Sequence, residues 1–272
     1  TLTDSSAASD VYKRQHSTEF KEFIEGINTV IVDEVHMAKA DVLKRMLTGP
    51  FAHCQIRWGL TGTVPKQEYE YMGIKVGLGE VTNKIPAKDL QDKGVLANCH
   101  VNVLQTNDIL EFRSYAEELK WLTTDAKRMS WVAQTINDIS TSGNTLILVD
   151  RISAGEILEK KIKDSVFIRG ATKNMERKEH YDEVSTAQTK VIIATYGVAA
   201  VGINIPRIFN LVLIEPGKSF VRVIQSIGRG IRKAEDKDSV NIWDITSACK
   251  FARRHLTQRK KFYKEANYPY NI

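Results

Sequence analysis

The chain has 272 residues, 42% of them hydrophobic, which is enough for two ordinary folding units with a sizeable core. No apolar run approaches the roughly 18 to 20 residues of a membrane span, and the N-terminus lacks the apolar segment of a signal peptide, so a cytoplasmic protein with no membrane partner is expected. Cys54, Cys99 and Cys249 lie far apart without C-x-x-C spacing, which predicts buried reduced thiols rather than a zinc site, and the net charge of +6 fits a polyanion partner without requiring one.

Residues 1–15 follow neither a strand nor a helix period, resemble translated cloning sequence, and are expected to be non-native or disordered. From Phe20 a short helical pattern (Phe20, Phe23, Ile24, Ile27) leads into Thr29-Val30-Ile31-Val32, a β-branched run too short for a helix and apolar on both faces, which predicts a buried parallel strand. A helix over 40–48 closes at Gly49-Pro50, and a strand over 55–60 ends in Thr61-Gly62-Thr63. The stretch 73–94, rich in Gly, Lys and Asp, marks the boundary between two lobes.

A second alternating unit follows, with strands at 101–104, 145–149, 166–168, 191–194 and 211–214 and helices at 131–140, 154–162 and 175–184. Repeated β-α units predict an α/β fold with parallel sheets flanked by helices. Ligand-facing loops in such sheets lie beyond the carboxyl ends of the strands, and Asp33, Thr61, Asp150, Thr195 and Glu215 all fall there. From Lys250 to Lys264 seven basic residues, among them Arg253, Arg254, Arg259, Lys260 and Lys261, stand without an acid and interleave with Phe251, Leu256, Phe262 and Tyr263 at helical intervals. Both a solvated basic face and a phosphate-contacting one satisfy that pattern.

Asp33-Glu34-Val35-His36 sets two carboxylates at the end of an apolar strand. Asp33 suits a water-mediated Mg²⁺ ligand, Glu34 a group that polarises an attacking water, and His36 a relay; a helix-capping acidic pair is the plain alternative. Thr61-Gly62-Thr63 reads either as a turn or as a sensor coupled to that site, and the glycine-bearing segment after Thr195, which includes Gly202 and Asn204, either as an idle loop or as a place where backbone N–H groups approach phosphates. In Gln225-x-x-Gly228-Arg229-x-x-Arg232, a helix would set Gln225, Arg229 and Arg232 at i, i+4 and i+7, one amide and two guanidiniums on one face, suited to phosphate and to the charge that develops in phosphoryl transfer. A row of surface salt bridges is the competing reading.

In order and spacing these residues resemble the superfamily 2 helicases and translocases, over residues 20–272. Asp33-Glu34-Val35-His36 is similar to motif II, Thr61-Gly62-Thr63 to motif III, Leu146 to Arg151 to motif IV, Gly170 with Arg177 to the intermediate motif of the second lobe, Thr195 to Pro206 to motif V and Gln225 to Arg232 to motif VI. The 191–204 run, with 211–216 and 224–233, is similar to the UvsW-type recombination and repair helicases of T4-like phages. The resemblance implies RecA-like lobes at 16–80 and 98–272 with a linker at 81–97, and ATP with Mg²⁺ as cofactors. It implies Asp33, Glu34, Arg229 and Arg232 as catalytic residues, His36, Gln225, Gly202 and Asn204 in nucleotide binding, and Thr61, Gly62 and Thr63 in coupling. Arg151, Gly170, Arg177 and Thr195 would contact nucleic acid, together with Arg253, Arg254, Lys260 and Lys261 of the basic segment.

Single-stranded or branched DNA is the implied partner, with RNA in R-loops a further one, and host cytoplasm the implied location if the chain is phage-encoded. Two departures stand out. No G-x-x-x-x-G-K-S/T phosphate loop occurs in the sequence, so the first lobe is expected to be N-terminally truncated and the chain inactive by itself. Asn204 replaces the Asp of many relatives. A non-catalytic nucleic-acid-binding or annealing module and an RNA helicase of the same superfamily are the alternative functions.

Overall fold

A computed structural model describes residues 18–37, 40–62, 64–65, 68–202, 205, 207–219, 227–228 and 232–272. It divides into two compact units, residues 1–84 and 85–272.

In the first unit, α1 (Thr18–Glu25) precedes β1 (Thr29–Val32), a 3-10 turn (Val35–Met37), α2 (Ala40–Thr48), β2 (Ile56–Gly59) and α3 (Glu68–Leu78). β1 and β2 pair in parallel from Thr29↔Ile56 to Val32↔Gly59. Val30 and Val32 pack with Val35, Leu43, Leu47, Ile74 and Leu78. The expected burial of both strand faces is not met: Ile31 is 56% and Trp58 60% exposed. A two-stranded sheet carrying helices on one side has a single covered face, so alternate residues of each strand point outward.

The second unit begins with α4 (Ala87–Asp92), β3 (Asn98–Thr106), α5 (Tyr115–Thr124) and α6 (Ala126–Ser140). It continues through β4 (Thr145–Val149), α7 (Ile152–Lys161), β5 (Ser165–Ile168), α8 (Asn174–Thr186), β6 (Val191–Thr195), α9 (Tyr196–Gly202) and β7 (Asn210–Ile214). The remaining elements are β8 (Ser239–Ser247), α10 (Lys250–Glu265) and β9 (Tyr270–Asn271). The strands form one seven-stranded sheet in the order β5-β6-β4-β7-β8-β3-β9, and every pairing is parallel.

β4 and β7 are buried at every position, as strands covered on both faces must be. Leu146, Leu148, Ile192, Leu211, Leu213 and Ile242 pack on one face with residues of α8, α9 and α10. Ile147, Val149, Ile193, Val212 and Ile245 turn to the other, against Met129, Val132 and Ile136 of α6 and Ala154 and Leu158 of α7. This is the α/β architecture expected from the alternating apolar runs. The three cysteines are free and buried, and no helix among the described residues is long and apolar enough to cross a membrane.

Candidate nucleotide and nucleic-acid sites

In the first unit the chemistry collects where β1 and β2 end. Leu60 N–H donates to Val32 O (2.8 Å) and Val35 N–H to Leu60 O (3.0 Å), tying the two strand ends together. Between them Asp33 turns its Oδ1 back to accept from Glu34 N–H at 2.8 Å. Glu34 takes a left-handed backbone, φ 47°, a conformation that a residue with a Cβ adopts only where its surroundings hold it. Both residues are exposed.

His36, by contrast, has a side chain only 4% exposed; its Nδ1 lies 3.4 Å from Glu34 Oε2 and 2.7 Å from Thr61 Oγ1. The structure therefore brings Glu34, His36 and Thr61 together across two strand ends, His36 Nδ1 hydrogen-bonded to Thr61 and within ion-pair distance of Glu34. Gly62 is exposed, a Cβ there would meet nothing within 4 Å, and Thr63 lies outside the described residues. No group of three or more His, Cys, Asp or Glu that could hold a metal ion occurs among the described residues. An exposed carboxylate pair with one oxygen already taken suits Mg²⁺ held through water, because that ion keeps several waters and phosphate oxygens and needs only one or two carboxylates.

In the second unit the candidate residues also lie at carboxyl ends of strands. Arg151, just past β4, has an extended backbone and opens α7; its guanidinium donates to Ala116 O at 3.4 Å and keeps a buried Nε without a partner. Arg177 of α8 donates to Arg169 O (3.0 Å) and Gly170 O (2.8 Å). Its guanidinium thus shapes the turn after β5, leaving Gly170 exposed, with open space where a Cβ would stand.

Thr195 ends β6, and its Oγ1 accepts from Val198 N–H at 3.3 Å. That bond caps α9, so the segment read as a glycine-bearing loop is helical through Gly202: a capping hydroxyl followed by Val198 and Ala199, both buried, outweighs the glycines. Asn204, Gln225 and Arg229 lie outside the described residues. Arg232 does not continue a helix as the i, i+4, i+7 reading required. It forms an antiparallel bridge with Leu96, and the buried Lys237 ammonium donates to its carbonyl at 2.8 Å; an extended backbone paired to another segment cannot keep helical spacing. Burial pushes Lys237 down to about 8.

The basic segment is a single helix, α10, in which Arg253, Arg254 and Lys261 are exposed and Lys260 partly so. Arg259 is not on that face. It is fully buried, with Nε and NH2 each 2.8 Å from an oxygen of Asp244 and NH1 donating to Gly217 O at 2.8 Å, while Tyr263 OH donates to Asp244 at 2.8 Å. Burial opposes the charge on Arg259, but Asp244 overcomes it and holds the guanidinium above its usual range.

A second buried network adjoins Glu215. Arg128 donates to Glu215 Oε1 (2.9 Å) and Thr246 Oγ1 to Oε2 (3.1 Å), and Ser247 Oγ donates to Asp108 at 2.9 Å. Burial pushes Glu215 up to about 7 against the pull of Arg128 and Arg259. Glu118 of α5 accepts from Phe251 N–H (3.0 Å) and Ala252 N–H (2.6 Å), so a carboxylate from another helix caps α10. The roles of Asp108, Glu118, Arg128 and Asp244 are not legible in the sequence; an acid at position 244, between Trp243 and Ile245, was the available signal.

Residues 127–234 match the family described as the helicase conserved C-terminal domain. The ATP-dependent DNA helicase uvsW of Enterobacteria phage T4 is 24% identical over 253 residues, 89% of this chain and 50% of that protein. The chain spans about half the length of the curated relatives it matches. The crystal structure of T4 UvsW superposes with a TM-score of 0.56 at 20% identity, covering 96% of this chain and 56% of that one. The ATP-dependent Type ISP restriction-modification enzyme LlaBIII bound to DNA gives a TM-score of 0.63 at 14% identity, covering 91% and 21%. The two structural likenesses are likenesses of fold, a RecA-like parallel sheet flanked by helices.

Proposed function

We propose that this chain, of the superfamily 2 helicase type and near the UvsW helicases, is the part of an ATP-dependent DNA motor that carries the hydrolytic carboxylates, the phosphate-directed arginines and the nucleic-acid track. The observation that carries the reading is the group formed by Glu34, His36 and Thr61. It links the residue suited to polarising water with a hydroxyl on the neighbouring strand end, so a change at the nucleotide is felt along the backbone that Thr61 begins. In this reading Asp33 holds Mg²⁺ through water, and the metal neutralises phosphate charge. Arg229 and Arg232 stabilise charge on the transferring phosphoryl group, while Gln225, Gly202 and Asn204 contact the nucleotide.

Arg151, Gly170 and Thr195 line the nucleic-acid track, Arg177 sets the Gly170 turn, and Arg253, Arg254, Lys260 and Lys261 add phosphate contacts. Residues 16–80 and 98–272 are then the two lobes, and 81–97 their linker. The partner is single-stranded or branched DNA, with RNA in R-loops a further one, and the place of action is the cytoplasm, that of the host if the chain is phage-encoded.

The experiment is ATP turnover and DNA binding by the protein expressed from its complete reading frame. Glu34→Gln and Arg232→Lys should each lower turnover by about 10² or more, on the scale of groups that act on the transition state, and leave DNA affinity without nucleotide nearly unchanged. Lysine at 232 keeps the charge and loses the planar fork. Turnover at the wild-type rate in both variants would refute the assignment.

A further inference from the structure

Three aromatic rings gather where α5 meets the first turns of α10. Tyr115 and His255 lie edge to face with centroids 4.7 Å apart, and Tyr115 and Phe251 are 6.3 Å apart. All three are partly buried, so each is held by its neighbours and still reaches the surface. Phe251 and His255 stand at i and i+4 on α10, and Lys250 and Arg254 at the adjoining i and i+4, so two cations run alongside two rings. Lys250 Nζ sits 5.7 Å from the Phe251 centroid.

Lys218, exposed on the turn after β7, adds a third cation. Burial pushes His255 down to about 4, and Arg259 and Lys218 push it the same way, so the imidazole is an uncharged aromatic surface at neutral pH. Asp244 and Glu118 satisfy Arg259 and the first N–H groups of α10 internally. The groups that the cluster itself turns to the surface are aromatic and basic.

This cluster adjoins the proposed track. Arg151 donates to the carbonyl of Ala116, the residue after Tyr115, and a Cβ on Gly217 would meet Tyr115 OH at 3.4 Å. Tyr115 therefore sits beside the loops that follow β4 and β7, and the two rings of α10 lie against it. Aromatic rings between cations along a strand path match the chemistry of an unpaired nucleotide, whose phosphate meets the cations while its base stacks.

We propose that Tyr115, Phe251 and His255, framed by Lys218, Lys250 and Arg254, form a stacking platform for bases of single-stranded DNA, continuing the track beyond Arg151. It rests on the nucleic-acid reading above and deepens it from phosphate contact to base contact.

The test compares binding of the chain to a fluorescein-labelled oligothymidylate and to an abasic strand of equal length, by anisotropy across a salt series. The wild type should prefer the strand with bases by about tenfold, the scale of one stacked base. Phe251→Leu keeps the apolar volume but removes the π face, and it should bring the preference to within about twofold while leaving the salt slope unchanged. Tyr115→Leu, on a different helix, should do the same. Equal wild-type affinity for both strands with a steep salt slope, or a preference that survives both substitutions, overturns the platform and leaves the phosphate track standing. Failure to bind either strand overturns the nucleic-acid reading of the chain itself.

Discussion

Asp244→Ala should be among the most damaging single changes in the second unit, although position 244 lies outside every motif. Asp244 and Arg259 are both fully buried and meet through two 2.8 Å contacts. Removing the carboxylate leaves the guanidinium with only the Gly217 carbonyl among these partners and deprives Tyr263 OH of its acceptor. Breaking a buried pair by deleting one partner costs about 3 to 5 kcal/mol, and a stranded buried hydroxyl adds about 1 kcal/mol or more. The loss should therefore be about 4 to 6 kcal/mol, read as a lower urea midpoint at unchanged slope. Arg259→Met combined with Asp244→Leu should recover most of it, since two apolar side chains of similar volume carry no unpaired charge, leaving the unmet Tyr263 hydroxyl and Gly217 carbonyl. Asp244→Ala costing less than about 1 kcal/mol would refute the pair as an anchor of the fold. The Arg259→Met, Asp244→Leu pair should leave the salt dependence of DNA binding unchanged, because a guanidinium already neutralised in the core releases no counterion from a phosphate.

Glu118→Ala removes the acceptor for two N–H groups of α10 and should lower stability by about 1 to 3 kcal/mol, seen as a reduced melting temperature; an unchanged melting temperature would remove the capping role. Glu215, raised by burial from 4.5 to about 7, holds a proton in the folded protein that the unfolded chain releases between those values. Its contribution is present below the unfolded value and lost as pH rises through about 7, so between pH 5 and 8 the wild type should lose stability relative to Glu215→Gln by up to about 3 kcal/mol. Parallel pH profiles for the two proteins would contradict it.

The strands that sequence makes plain are those whose every residue is buried. β4 and β7 read as unbroken apolar runs because both faces are covered. β1 reads the same way and differs in the structure, since an apolar run reports what a strand can bury rather than what is packed on it, and Ile31 stands on the uncovered face. β8 is long and paired along its whole length with β3, from Asn98↔Ser239 to Thr106↔Ser247, yet it does not announce itself. Asn241 and Asp244 interrupt its apolar residues, and the partner that makes Asp244 tolerable lies on a helix, outside any local window.

The candidate sites divide along the same line. That Asp33, Glu34, His36 and Thr61 stand at strand ends was legible from the apolar runs before them, and the contact between His36 and Thr61 is what the structure adds. Arg259 stands apart from the other basic residues of α10 for a reason contained in the spacing of the helix. Ala252, Leu256, Arg259 and Tyr263 fall at i, i+4, i+7 and i+11 and are all buried, so Arg259 belongs to the apolar stripe and not to the charged face. A cation in such a stripe demands a buried acid, and Asp244 is that acid. Taken together, a charge out of phase on a helix and another within an apolar strand identify each other. They do so because neither can be buried alone.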